Sequence, residues 1–169
     1  KLRALEFGAS DFLAKPLDQS ELGLRVRNTL YAKAYQDQLA YYDPLTKLPN
    51  RQLFLEELVW STNVAKRHNE KLALLNIEID NFAKINDTIG IAAGDQVLRV
   101  VTQRVQKVVR DIDLLGRAMG DEETEFKLFH LDSCVFSLLL NRLQNAESTA
   151  YIAERIVKEI SRAIPFEGR

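Results

Sequence analysis

Residues 72–95 read Leu72-Ala73-Leu74-Leu75-Asn76-Ile77-Glu78-Ile79-Asp80-Asn81-Phe82-Ala83-Lys84-Ile85-Asn86-Asp87-Thr88-Ile89-Gly90-Ile91-Ala92-Ala93-Gly94-Asp95, and this stretch decides the fold. Its first eight residues form an apolar run of strand length, the pattern of a central strand buried on both faces. A short helix follows and stops at Gly90. A longer one runs from about residue 93 to 109, with Val97, Val100, Val101, Val105 and Val108 spaced to face inward. Outward from there, residues 114–119 and 135–140 read as strands. Residues 146–163 read as a helix carrying Ile152, Ile156 and Ile160. On the other side, Asn50 is a good cap for a helix to about Arg67, with Leu53, Phe54, Leu58 and Val64 inward, and His68-Asn69-Glu70 is a turn. Helices alternating with a central strand and a hairpin give an α/β (α+β) layer fold.

Upstream, Leu2 and Leu5 share a helical face that Gly8 ends, and residues 11–14 form a short strand closed by Lys15-Pro16. Asp18, with Glu21 three residues later, opens a helix to about Tyr42, with Leu22, Val26, Leu30, Ala34 and Leu39 near one stripe. That length suits a rigid stalk paired with a second copy. The organisation is therefore a fragment over 1–17, a helical linker over 18–42 and a main domain over 43–169.

Composition narrows the function. With 23 Lys+Arg against 24 Asp+Glu in 169 residues, the net charge is −1. That is no footprint for nucleic acid or an anionic membrane. A single cysteine, Cys134, excludes an internal disulfide framework, and two histidines, His68 and His130, argue against a Cys/His zinc site. No apolar run reaches the roughly 20 residues of a membrane span. The chain reads as an excerpt of a longer cytoplasmic protein.

Three segments carry a resemblance: Asp43-Pro44-Leu45-Thr46-Lys47-Leu48-Pro49-Asn50-Arg51, residues 77–90, and Ala92-Ala93-Gly94-Asp95. In order and spacing they are similar to the GGDEF family, the diguanylate cyclases that condense two GTP molecules into cyclic di-GMP. The resemblance implies a palm-like nucleotidyl-cyclase fold with a central, mainly antiparallel sheet flanked by helices. It implies Mg²⁺ held by Glu78, in place of the family's aspartate, and by the carbonyl of Ile79. It places nucleotide contacts at Asn86 and Asp95 for guanine and at the amides of Phe82 and Ala83 for phosphate. An amide with a carboxylate suits guanine, whose ring N–H and exocyclic amine the carboxylate can accept. Ala83 and Ile91 stand where the family carries lysine and histidine, which weakens phosphate handling. The head resembles the end of a response-regulator receiver domain, with Lys15 as its phosphoryl-sensing lysine.

The family's signature hairpin has two placements. Without gaps it falls on Met119-Gly120-Asp121-Glu122-Glu123, which keeps the acidic pair. Further along it falls on Asp132-Ser133-Cys134-Val135-Phe136. Burial favours the second. Leu138, Leu139 and Leu140 follow it, each worth about 1.5–3 kcal/mol when buried, whereas the first would bury Glu125 and Lys127. In the second placement Cys134 and Val135 stand for the two acids, and residues 121–125 form a solvated acidic loop. The resemblance then implies a degenerate domain that binds GTP weakly or not at all, a regulatory and dimerisation module of a receiver-GGDEF protein, with or without an EAL domain. The alternative is an active cyclase using Asp121 and Glu122. Arg110-Asp111-Ile112-Asp113 also resembles the family's R-x-x-D product-inhibition site for cyclic di-GMP, through Arg110 and Asp113; its plain reading is a polar helix end. Trp60 and the tyrosines read as core or stalk packing.

Overall fold

The computed structural model describes residues 18–118, 124–143 and 146–165. The head with Lys15 and the first signature placement with Asp121 and Glu122 lie outside the described residues. The chain divides into two compact units, Lys1–Ala40 and Tyr41–Arg169.

In the first unit, helix α1 (Gln19–Tyr41) begins where Asp18 Oδ1 accepts from the backbone N–H groups of Ser20 and Glu21, at 2.7 and 3.2 Å. This cap satisfies two of the amides a helix start leaves free. Its described side chains include none that is buried; Leu30, Tyr31, Tyr35 and Leu39 are all more than 60% exposed.

In the second unit, Asn50 caps α2 (Arg51–His68) by accepting from the N–H groups of Gln52 and Leu53. Asn69, in the left-handed conformation at φ 54°, closes the helix. The remaining elements are β1 (Lys71–Glu78), α3 (Phe82–Ile89), α4 (Ile91–Ala118), β2 (Glu125–Asp132), β3 (Val135–Leu143) and α5 (Ala146–Ile160). The three described strands form an antiparallel sheet in the order β1-β3-β2. The antiparallel sheet flanked by helices expected from the sequence is the fold observed.

The sheet's interior belongs to β3, and its alternation builds two cores. Phe136, Leu138 and Leu140 pack with Val101, Val105 and Val108 of α4 and with Ile152 and Ile156 of α5. Leu139 turns to the other face and joins Phe129 of β2 and Phe54 of α2. The result is one helix, a sheet, then two helices.

Four expectations are corrected. The run at 72–79 does not supply the doubly buried strand: Leu74, Asn76 and Glu78 are exposed, and β3 takes that place between two neighbours. Residues 114–118 are not a strand but the end of α4. Val105, Val108, Val109 and Ile112 keep helical spacing against the core, and a short apolar doublet beyond them carries no period of its own. Glu125 is not loop but the first residue of β2. Trp60 is not core: it is 56% exposed on α2, with Lys127 Nζ 5.5 Å above its ring and that amine 2.5 Å from Glu57. Tyr31, Tyr35, Tyr42 and Tyr151 are exposed as well.

Candidate functional site

The site is assembled from one turn, two helix ends and one hairpin. In the turn before α2, Asp43 Oδ1 accepts from Leu45 N, Thr46 N and Thr46 Oγ1 at 3.1, 2.6 and 2.7 Å. The turn closes through Asp43 N–H to Leu48 O, with Lys47 at φ 61°. It is fixed to the sheet twice by His130. The His130 amide donates to Pro49 O at 2.9 Å, and its Nδ1 lies 3.2 Å from Asp43 Oδ1. The imidazole is 7% exposed and stacks on Phe136 with 4.6 Å between centroids.

Burial alone pushes the Asp43 carboxyl up. Hydrogen bonds from the Thr46 amide and hydroxyl, together with the hydrogen bond and charge of His130, outweigh it and hold the group below its ordinary value. A carboxylate lowered by folding stabilises the native state above its unfolded pKa, and that contribution is lost as pH falls through the folded one. Melting temperature should therefore drop on acidification below about pH 4, more steeply in this protein than in Asp43→Asn. Parallel acid limbs in the two would show that the turn does not store this linkage.

On the opposite side, α3 ends at Gly90, whose φ of 104° turns the chain into α4 without the strain a Cβ would bring. Asn86 lies in the last turn of α3 and Asp95 in the first turns of α4. A Cβ added at Gly94 would overlap the Asn86 amide oxygen and come within 3.2 Å of Phe82 Cζ, so glycine is what allows the two helices to meet here. Asn86 Oδ1 is buried with no hydrogen-bond partner among the described residues.

The hairpin between β2 and β3 turns at Ser133 and Cys134, after an irregularity in pairing between His130 and Asp132. Val135 stands opposite Glu78, and the Cys134 carbonyl accepts from Ile79 N–H at 3.1 Å. Cys134 packs against the larger core.

A cavity of about 500 Å³ brings Phe82, Asn86, Asp95, Asp132 and Ser133 together with Asp43, Arg51 and His130. Glu78 and Ile79 do not line it; with Asp80 they border a second, largely apolar cavity of about 410 Å³ against α4 and Ile160. Ala83 is exposed in the first turn of α3, whose cap residue Asn81 makes no side-chain bond to the free amides. Arg110 sits within α4, which does not end there, and borders a cleft facing the start of β2; of Asp113 only the helical backbone is described. His130 and Arg51 escaped the sequence reading as site residues. The alternation of Leu128 with His130 along one strand is the signal that could have placed the imidazole on the face of the larger core.

The family model described as diguanylate cyclase, GGDEF domain, matches residues 40–168. The chain belongs to the GGDEF family. It is 38% identical over 131 residues to the response regulator PleD of Caulobacter vibrioides, covering 72% of this chain and 29% of that protein. It is 32% identical over 139 residues to the cyclic di-GMP phosphodiesterase NbdA of Pseudomonas aeruginosa, covering 82% and 16%. The GGDEF domain thus spans less than a third of the length of either relative. Among solved structures, the GGDEF domain of TpbB (YfiN) from Pseudomonas aeruginosa gives a TM-score of 0.64 at 31% identity, over 75% of this chain and 66% of that one. The coiled coil and GGDEF domain of DgcB from Caulobacter crescentus, in complex with c-di-GMP, gives 0.73 at 24% identity over 88% and 71%, a likeness of fold.

The cyclase reaction of the family implies divalent metal, and the donors at the sheet end fit it poorly. Glu78 and Asp80 offer carboxylates and Ile79 a carbonyl, while the facing strand offers a thiol and a hydrocarbon at Cys134 and Val135. Magnesium takes oxygen ligands in octahedral array, and a thiol is too soft a partner. Among the described residues, no group of three or more His, Cys, Asp or Glu side chains is close enough to hold an ion.

Proposed function

We propose that this GGDEF domain makes no cyclic di-GMP of its own and acts as a regulatory and dimerisation module in cyclic di-GMP signalling, with a guanine nucleotide in the 500 Å³ cavity. The observation that carries the reading is the hairpin turn at Ser133 and Cys134 beside Glu78, which supports the second placement of the signature. With cysteine and valine in place of two acids, an interaction worth orders of magnitude in rate is missing twice over. Guanine recognition is a separate matter: Asn86 and Asp95 remain on one cavity, and the buried Asn86 oxygen lacks a partner that a ligand N–H would supply.

Pairing of two copies through α1 belongs to the same proposal. Among the described residues Leu22, Val26, Leu30 and Leu39 are exposed, and a helix of 23 residues with that surface is costly to leave in water. A receiver domain ahead of the stalk, with or without an EAL domain behind, and a cytoplasmic setting complete the proposed context; no described helix is long and apolar enough to cross a membrane.

The test is incubation with GTP and Mg²⁺ at concentrations where sedimentation gives a dimer. No cyclic di-GMP is expected, while GTP raises the melting temperature, as a ligand of the native state must. Product formed by the protein and lost in Asp121→Ala would establish an active cyclase instead. A strictly monomeric chain would remove the stalk pairing, and an unmoved melting temperature would reduce the domain to a scaffold without ligand.

A further inference from the structure

The charged and unsatisfied groups of the residues around the nucleotide cavity are unevenly divided. Asp95 and Asp132 bring carboxylates, and two further atoms are left unsatisfied by the fold: Asn86 Oδ1 and His130 Nε2, both buried and without partners among the described residues. The state of His130 follows from its surroundings. Phe136 covers a ring face, and Nδ1 lies 3.2 Å from the Asp43 carboxylate, which only accepts. The Nδ1 hydrogen therefore goes to Asp43, and in the neutral ring Nε2 carries a lone pair with no hydrogen. Three carboxylates, Asp43, Asp95 and Asp132, line the cavity with Asn86 and His130, against one cation, Arg51. Such a wall suits a ligand surface rich in N–H and O–H groups and poor in negative charge.

We propose that His130 is a ligand contact of this cavity, an acceptor fixed by Asp43 that, with Asn86, receives hydrogen bonds from the uncharged base-and-ribose part of a guanine nucleoside. This rests on the proposed nucleotide reading and adds to it a residue and a substrate class. The nucleoside carries the affinity, and the phosphates add little. Guanosine, GMP and GTP bind alike, and removal of Mg²⁺ changes none of them.

The experiment is calorimetric titration of the full chain with guanosine and with GTP, at pH 8 and with EDTA, for the protein and for Asn86→Ala, His130→Phe and His130→Leu. Phenylalanine keeps the stacking on Phe136 and removes Nε2. Leucine at 130 fills the buried position without any ring nitrogen and gives a second, independent removal of Nε2. Each of these two variants should weaken guanosine binding about five- to tenfold, the range of one lost hydrogen bond to a ligand. A far-ultraviolet spectrum and a melt establish that each variant is folded; if His130→Phe is not, His130→Leu decides. Loss of binding in Asn86→Ala with unchanged affinity in the two His130 variants overturns the contact and leaves the nucleotide cavity standing. Binding of GTP with Mg²⁺ but not of guanosine overturns the nucleoside class. No binding of either by the unaltered protein overturns the nucleotide reading itself, and this proposal with it.

Discussion

Phe136→Ala should unfold much of this domain's margin of stability, lowering it by about 3–5 kcal/mol where a domain commonly has about 5–15. The ring is fully buried, it belongs to the larger core beneath α4 and α5, and it is paired across the sheet with both Ile77 and His130. Truncation leaves a cavity that the neighbouring strands cannot close, because each is held by its own ladder. The loss reaches the site too, since the imidazole of His130 rests on this ring. Urea denaturation gives the number; a decrease below about 1 kcal/mol would mean that the interior relaxes into the space or that the ring is not enclosed as described.

The second large effect is expected on binding, with stability nearly unchanged. Gly94→Ala gains about 1 kcal/mol of helix propensity within α4. Against that, the new methyl group overlaps the Asn86 amide oxygen and crowds Phe82 Cζ. The Asn86 side chain is short and can rotate aside, which costs little because its Oδ1 gives up no hydrogen bond. The fold therefore survives and the recognition amide does not. Guanine nucleotide affinity should fall at least tenfold, as in Asn86→Ala, with a melting temperature within a few degrees of the unaltered protein. Undiminished binding in Gly94→Ala would show that Asn86 plays no part in recognition.

Local signals were readable in advance. Asp18 and Asn50 stand at the starts of α1 and α2 as capping residues, Gly90 ends α3, and the leucines after Val135 form the buried strand. Each rests on neighbours in sequence, where propensity and periodicity act. The reading failed where distant chemistry decides. The run at 72–79 is as apolar as β3, and nothing within it says that Leu74 faces out. Continuation of α4 past residue 113 follows from packing of Ile112 against the core, not from a local stop or start. Asn86 and Asp95 were named from the family resemblance, and the short break at Gly90 between their helices brings both to one cavity. His130 was not, because its partners Asp43 and Thr46 lie in a turn more than 80 residues earlier.

The sheet's strand order has a consequence for how the chain acquires its shape. β2 and β3 are joined by a tight turn, so their ladder closes a small loop and can form early. The bond between Ser137 and Asn76 joins residues 61 apart, with two helices to be stored in between. Closing that span is entropically slower, so docking of β1 onto a preformed hairpin is the expected late step. Destabilising changes in the hairpin should then slow refolding, while those in β1 should chiefly hasten unfolding.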